Sequence, residues 1–450
     1  MKTRMMVRRG VAVIAALAAT LSLGACSASD RTADGVTELT LWHSSGGDNA
    51  AVVDGLVAEF NESHKGKIRV RTLYQGSYED AITKLSTSVS TGNLPDVMQV
   101  NDANSAYMAD TGLTVPVEQL NEAAGSSYQL DGLVEAARTY YSRAGRLESM
   151  PFQASQPLVL VNPNLAAAAG LSLEKPPASI DDLVAWARAI REKTGKRGIS
   201  FHIHPWWFEE WTAALGVTYC TPGNGLSDEL PTAFTMSTDE QVHVWTEFQK
   251  LYADGVALNV GTDGSRVSGP FGSGEVGMVV ASSAGLSQFL RDARGFEPVG
   301  VPFPTAGSNG GTVIGGNSLW VLGDNPKGKR EQAAWEFVTF MASASSQRKV
   351  FTEGGYLPSS KQAIADLVGS TDPIRHMLLE QYENTPASEA AAGCHSGALQ
   401  AQRTDFRPVM EAILLEGADV KASLEKAEKK SASIIAGYNK RAELTKEVDR

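Results

Sequence analysis

The sequence contains few of the residues that build reactive centres. Three cysteines and seven histidines are spread over 450 residues, and no cysteine has a second one at metal-ligand spacing. The P-loop, the Gly-x-Ser-x-Gly nucleophile elbow and the His-Glu-x-x-His helix are all missing from it. His202 and His204 form a His-x-His pair, but no third ligand lies nearby and strand alternation explains their spacing. We therefore expect no metal, no cofactor and no enzyme activity.

Positive charge is also scarce. The chain has 40 Lys and Arg against 51 Asp and Glu, which gives a formal net charge of -11. A surface this acidic argues against nucleic acids and anionic lipid surfaces as partners. Hydrophobic residues make up 42% of the chain and charged residues 20%, as in folded globular proteins. A chain of 450 residues is long enough for two or more domains.

One long hydrophobic run is present, at the N-terminus. Basic residues precede the apolar stretch 11–23, which ends in Leu23-Gly24-Ala25-Cys26. This pattern predicts a signal peptide over residues 1–25, because a stable membrane anchor needs roughly 20 apolar residues. The ending resembles the bacterial lipobox, in which the Cys is lipidated; an ordinary export signal with a chance Cys26 is the alternative. Residues 26–36 are then a flexible leash on the extracytoplasmic face of the cell membrane.

Cys220 and Cys394 are the two other cysteines. An exported protein folds where thiols oxidise, so we favour a disulfide between them. Two buried free thiols are the alternative, and the sequence alone does not decide between these.

Strand and helix patterns alternate along the first part of the chain. Strands are predicted at 39–41, 67–74 and 95–100, and amphipathic helices separate them. Such alternation predicts a largely parallel α/β sheet, whose ligands lie beyond the carboxyl ends of the strands. Three residues are predicted at that edge: Ser44, Tyr78 and Asp102.

Several segments resemble the extracellular solute-binding proteins of ABC importers, the maltose-binding-like group. The segments that carry the resemblance are 39–60, 92–97, 151–162, 271–278 and 354–358. Within that group, the stretches 42–44, 74–79 and 314–320 are most similar to the proteins that bind sn-glycerol 3-phosphate. The resemblance extends over nearly all of the predicted mature chain.

The resemblance implies an α/β fold of two lobes, with the ligand in the cleft between them and a hinge that the chain crosses more than once. We expect lobe one to comprise residues 37–150 and 300–342, and lobe two to comprise 151–299 and 343–450. Ligand binding is expected to close the lobes, and the closed form is what a permease distinguishes from the empty one.

The resemblance also implies roles for individual residues. Tyr78 matches a ligand-contacting Tyr, and Asp102 matches an acid that accepts the glycerol hydroxyls, where the family pattern has Glu. Tyr356 and Arg407 match the positions that hold the phosphate, since a guanidinium binds two phosphate oxygens at once. Arg403, one helical turn earlier, is the alternative cation. Without the resemblance, each has an ordinary explanation, as a packing residue, a helix cap or a surface charge.

The remaining matches are hydrogen-bonding and aromatic residues. Ser155, Ser282 and Gly316 match positions that donate hydroxyl or backbone hydrogen bonds, although Ser and Gly are common in loops anyway. Trp206 and Trp207 are expected to supply at least one core residue, while the other lines the cleft.

The chain is thus identified as a substrate-binding lipoprotein of an ABC importer. The resemblance implies sn-glycerol 3-phosphate or a glycerophosphodiester, such as glycerophosphocholine, as the ligand, the permease as the partner, and a monomeric state. A sugar- or oligosaccharide-binding protein of the same fold is the alternative. Arg407 separates the two, because a phosphate needs a convergent cation and a neutral sugar does not. A surface adhesin that binds another protein is a third hypothesis.

Overall fold

The computed structural model describes residues 32–33, 35–227, 229–369 and 372–448. The predicted signal peptide and Cys26 lie outside these residues. None of the helices that the structure describes is long and apolar enough to cross a membrane.

The described strands and helices alternate along much of the chain. The strands are β1 (Thr32–Ala33), β2 (Val36–His43), β3 (Ile68–Tyr74), β4 (Val97–Asn101), β5 (Thr114–Val115), β6 (Ser142–Arg143), β7 (Arg146–Leu147), β8 (Met150–Ser155), β9 (Pro157–Val161), β10 (Arg197–Phe201), β11 (Cys220–Thr221), β12 (Ala233–Phe234), β13 (Ala257–Asn259), β14 (Val276–Ser282), β15 (Val299–Val301), β16 (Gly315–Leu322) and β17 (Leu357–Pro358). The helices are α1 (Gly47–Ser63), α2 (Tyr78–Thr91), α3 (Ser105–Asp110), α4 (Val117–Ala123), α5 (Glu135–Tyr140), α6 (Pro163–Ala168), α7 (Ile180–Thr194), α8 (Trp206–Ala214), α9 (Asp239–Ala253), α10 (Ser268–Gly272), α11 (Leu286–Asp292), α12 (Lys329–Met341), α13 (Ala344–Thr352), α14 (Lys361–Leu367), α15 (Pro373–Glu383), α16 (Leu399–Glu416) and α17 (Val420–Val448).

The strands form two main sheets. Sheet one has the order β1-β2-β4-β16-β8-β17, with β3 paired to β2 and β5 paired to β16. Sheet two has the order β13-β10-β14-β9-β15. Strands β2, β3 and β4 run parallel, as do β10, β13 and β14, while β16 and β9 are antiparallel to their neighbours. The predicted α/β class is therefore correct, with a mixed rather than fully parallel sheet in each lobe.

Local sequence explains where the major helices begin and end. Ser77 and Ser179 each close a capping box at the start of α2 and α7. Gly92 ends α2 with φ 68°, a left-handed conformation that favours glycine. The apolar stripe predicted for α1 is buried from Val52 to Phe60.

Over the residues that the structure describes, the chain passes between the two sheets at three places, and these passages shift the predicted lobe boundaries. Gln156 alone separates β8 in sheet one from β9 in sheet two. Strand β15 pairs with β9 in sheet two, although residues from 300 onward were expected in lobe one. The segment 344–367 was expected in lobe two, but α13 packs on α1 and β17 pairs with β8 in sheet one. Short strands give no local sign of which sheet they join, so sequence alone misplaced them.

Lobe two has an aromatic core around α8, whose nine residues are all buried. The C-terminal helices α16 and α17 close this core against α9. A disulfide joins Cys220 to Cys394 and links the β11 region to the segment that precedes α16.

The tight packing of α7 on β10 gives a prediction about stability. A Cβ atom on Gly198 would lie 2.0 Å from the carbonyl oxygen of Ala187, so only glycine fits between the strand and the helix. We expect Gly198→Ala to lower the free energy of unfolding by about 3 kcal/mol, because the backbones must separate. Denaturant unfolding of the purified variant measures this change.

Gly55→Ala is the matched control. Gly55 lies within α1, is exposed, and has open space where its Cβ would be. This exchange should raise stability by about 0.5–1 kcal/mol, because glycine is a poor helix former. A gain in stability from Gly198→Ala like that from Gly55→Ala would show that the general cost of glycine, and not the close approach at Gly198, governs the result.

Candidate functional site

The two lobes meet at the carboxyl ends of their parallel strands. Strand β4 of lobe one ends at Asn101 and is followed by Asp102, and β10 of lobe two ends at Phe201 and is followed by His202 and His204. The predicted strand explanation for the two histidines is therefore wrong, because both lie in the loop after the strand. Their ring centroids are 5.6 Å apart. In the part of the chain that the structure describes, no group of His, Cys, Asp or Glu is arranged to hold a metal.

Arg403 on α16 connects the two lobes through an ion triad. Its Nη2 donates to Oδ2 of Asp102 at 2.7 Å. Its Nε and Nη2 donate to the two carboxylate oxygens of Glu209, on α8, at 2.6 and 2.8 Å. The Arg403 side chain is only 6% exposed. Oδ1 of Asp102 accepts no hydrogen bond from the described residues, so it remains available to a ligand hydroxyl.

Burial sets the ionisation of the acids on α8. It raises the pKa of Glu209, and the Arg403 guanidinium opposes that rise. Burial also raises the pKa of Glu210 well above its usual value. Oε2 of Glu210 accepts the backbone N–H of Val313 at 3.0 Å, while Oε1 is buried without a partner. Glu210 therefore anchors the segment that leads back into sheet one.

Arg407 lies one turn after Arg403 and differs from it in having no acidic partner among the described residues. Its Nε is shielded from solvent and has no acceptor. Burial lowers the pKa of His202 to about 4 and that of His204 to about 2, and the Arg407 charge adds to both shifts. The guanidinium therefore lies near two imidazoles that are neutral at physiological pH. Nδ1 of His204 accepts the backbone N–H of Trp206 at 3.1 Å, which leaves its ring hydrogen on Nε2.

Trp206 and Trp207 are both buried, with 8% and 0% of their surface exposed. Their ring centroids are 4.8 Å apart, and neither indole Nε1 has a hydrogen-bond acceptor. Trp207 belongs to the core, as expected for one of the pair. Trp206 stands at the junction with sheet one, because a Cβ on Gly315 would lie 3.0 Å from its ring and 2.8 Å from Oγ of Ser155. The structure thus brings Trp206 and Ser155 together.

Tyr78, Tyr356 and Asp102 form the lobe-one side of the site. Burial raises the pKa of Tyr78 well above its usual value, with further contributions from Tyr356 and Asp102. Burial and the Asp102 charge raise the pKa of Tyr356 to about 12. Both phenols therefore keep their hydrogens at physiological pH. The Tyr78 oxygen accepts a hydrogen bond from Nδ2 of Asn317 at 3.0 Å.

Ser282 and Gly316 each have a structural role in the fold. Oγ of Ser282 accepts the backbone N–H of Ala284 at 3.3 Å, which caps a short helical turn after β14. Gly316 has φ 104°, and a Cβ there would lie 1.9 Å from the carbonyl oxygen of Gln153. The close pairing of β16 with β8 therefore requires glycine at this position.

Sequence reasoning missed the two acids on α8 and the amide of Asn317. A signal for the acids was present in the sequence. Glu209 and Glu210 stand among tryptophans in a mostly apolar stretch, and a Glu in a buried stretch usually needs a partner. Asn317 fell inside a recognised motif, but its partner Tyr78 lies 239 positions away in the sequence.

Comparison with known proteins places this architecture in a family. The family model for bacterial extracellular solute-binding proteins matches residues 55–376. The sn-glycerol-3-phosphate-binding periplasmic protein UgpB of Agrobacterium fabrum is 27% identical over 400 residues, which cover 87% of this chain and 90% of that protein.

Solved structures show the same fold at lower identity. UgpB from Mycobacterium tuberculosis, in complex with glycerophosphocholine, superposes with a TM-score of 0.72 and 19% identity, covering 89% of this chain and 99% of that one. The sugar-binding protein MalE from Xanthomonas citri superposes with a TM-score of 0.76 and 19% identity, covering 90% and 99%.

The predicted two-lobed, maltose-binding-like fold is confirmed by these neighbours. Both the match to the family model and the relatives identify a protein that binds a solute and does not transform it. The chain therefore belongs to the bacterial extracellular solute-binding proteins, as the ligand-binding component of an ABC importer.

Proposed function

We propose that the protein captures sn-glycerol 3-phosphate or a glycerophosphodiester, such as glycerophosphocholine, and delivers it to its permease. It acts as a monomer on the extracytoplasmic face of the membrane, attached through a lipid on Cys26. Relatives such as the A. fabrum protein are named for sn-glycerol 3-phosphate, and the M. tuberculosis structure contains glycerophosphocholine, which supports this choice.

Arg407 carries the proposal. A guanidinium nitrogen that is shielded from solvent normally has an acceptor, since leaving a buried charged group unpaired is unfavourable. Nε of Arg407 has none, and no carboxylate among the described residues neutralises its charge. A phosphate is the acceptor that suits it, because two phosphate oxygens match two guanidinium N–H groups.

Further donors without acceptors lie beside the two histidines near Arg407, since Trp207 packs against the His202 ring at 5.6 Å and Trp206 donates its backbone N–H to His204. The indole N–H groups of Trp206 and Trp207 are buried and unpaired, and the neutral ring of His204 carries a hydrogen on Nε2. The indole face of Trp206 would further attract a quaternary ammonium, by roughly 0.5–2 kcal/mol. On the opposite wall, Oδ1 of Asp102 is free to accept a glycerol hydroxyl.

A neutral sugar or oligosaccharide is the second candidate. Arg403 with its two carboxylates supplies fixed acceptors and donors that suit sugar hydroxyls as well as glycerol. The structural similarity to the sugar-binding X. citri protein is as high as that to the M. tuberculosis protein. The two candidates differ in their dependence on Arg407.

The first prediction concerns ligand affinity. We expect Arg407→Gln to raise the Kd for glycerol 3-phosphate and glycerophosphocholine roughly tenfold to hundredfold, because a charge-assisted hydrogen bond is lost. Calorimetric titration of the protein truncated after Cys26 measures this, with maltose as the third ligand. Arg188→Gln is the matched control, since Arg188 forms an exposed ion pair with Asp254 and should not affect binding. Tight binding of maltose that Arg407→Gln leaves unchanged would establish the sugar alternative.

The second prediction contrasts the two arginines in stability. Arg403→Leu should lower the free energy of unfolding by about 3–5 kcal/mol, because Asp102 and Glu209 are left as buried charges without a partner. Arg407→Leu should leave stability unchanged or raise it slightly, since it removes a cation that has no partner of its own. Denaturant unfolding without ligand measures both. A large loss of stability in Arg407→Leu would mean that Arg407 supports the fold, and would remove the main support for an anion site.

A further inference from the structure

A chain of buried side chains connects the backbone after β2 to the hydroxyl of Tyr78. The backbone N–H of Ser44 donates to Oε1 of Gln99 at 2.9 Å. Nε2 of Gln99 donates to Oδ1 of Asn317 at 3.0 Å, and Nδ2 of Asn317 donates to the Tyr78 oxygen at 3.0 Å. Gln99 and Asn317 are 1% and 0% exposed, so solvent does not compete for these bonds.

The direction of every hydrogen bond in this chain follows from its first member. A backbone N–H can only donate, so the side-chain oxygen of Gln99 must face Ser44 and its nitrogen must face Asn317. The oxygen of Asn317 therefore faces Gln99, and its nitrogen is left to face Tyr78. Amide orientation is thus decided by the network and not by the shape of the side chain.

Gln153 holds Asn317 in this orientation. Its Oε1 accepts from Nε2 of Gln99 at 2.9 Å and from Nδ2 of Asn317 at 3.0 Å. Turning over the Asn317 amide would bring its oxygen against the Gln153 oxygen. Two acceptors in contact repel each other in a buried site, so the amide has one favourable orientation.

The Tyr78 oxygen accepts a hydrogen bond, so its own hydrogen must point elsewhere. Tyr356 and Asp102 are close enough to raise the pKa of the Tyr78 phenol, yet neither forms a hydrogen bond with it. In the described part of the chain, the hydroxyl hydrogen has no acceptor. It is therefore available to an oxygen in the cleft.

We propose that Asn317 is a positioning residue that turns the Tyr78 hydroxyl outward, so that Tyr78 donates to an acceptor oxygen of the bound ligand. This inference rests on the proposed function in taking Tyr78 as a wall of the ligand site. It adds a requirement on the ligand, which must present an oxygen that accepts at this point, as a phosphate or an ester oxygen does.

A double-mutant cycle tests the proposal. Asn317→Asp keeps the shape of the side chain but replaces the donor by an acceptor, so the Tyr78 hydrogen is drawn inward. We expect this variant and Tyr78→Phe each to raise the Kd for glycerophosphocholine roughly tenfold to hundredfold. The double variant should bind no more weakly than Tyr78→Phe alone, because both changes remove the same hydrogen bond.

If the increases in Kd caused by the two single substitutions multiply in the double variant, the proposal is overturned. This result would mean that Asn317 acts through general packing, or that the new carboxylate repels the ligand whatever residue 78 is. Asn317→Leu provides a second cycle without added charge, and it decides the matter if Asn317→Asp does not fold. Its effect should be smaller than that of Asn317→Asp and should disappear in the Tyr78→Phe background.

Wild-type titrations keep this test separate from that of the proposed function. Failure of the wild type to bind either phosphate compound overturns the proposed ligand. If maltose then binds, the same cycle with maltose decides the role of Asn317 by the same criterion, since sugar oxygens also accept hydrogen bonds.

Discussion

The arrangement of the cleft depends on the burial of Arg403. A buried guanidinium is tolerated only when its charge and its N–H groups are matched, and here one carboxylate from each lobe does this. Asp102 and Glu209 must therefore approach within hydrogen-bond distance of the same side chain. This requirement brings the end of β4 to the start of α8 and aligns α16 between them. The two carboxylates also neutralise Arg403. Arg407 is then the neighbouring cation whose Nε still lacks an acceptor.

Helix α8 connects the site to the passage between the sheets. Its first turns carry Trp206, which lies at the junction with sheet one, and Glu209, which holds Arg403. Its later residues hold the segment before β16, through the carbonyl oxygens of Ala213 and Ala214 and the carboxyl of Glu210. All nine residues of the helix are buried, so its side chains are closely packed against their neighbours. A ligand that displaced Trp206 would therefore also shift the segment before β16, where the chain passes between the lobes.

Sequence reasoning succeeded where the determinants are local. The capping serines, the glycine that ends α2 and the apolar stripe of α1 act within a few residues, so their pattern is visible in the sequence. It could not assign short strands whose partners lie far away in the chain, as with β15 against β9 and β17 against β8. The same limit applies to the site. The resemblance indicated which residues lie near the cleft, but only the fold shows that Arg403 is already occupied and Arg407 is not.

The ligands that we propose are anions, and an acidic protein can bind an anion only where its local structure favours one. The chain carries a net charge of -11, but at physiological ionic strength exposed charges are screened beyond about 8 Å. Arg403 and Arg407 lie close to the acids Asp102 and Glu209, and the neutral histidines add no charge. The net charge of such a site attracts a phosphate only weakly. Recognition of the proposed ligand would then depend on the direction in which hydrogens point, so that unpaired donors and the amide orientation at Asn317 would matter more than the number of basic residues.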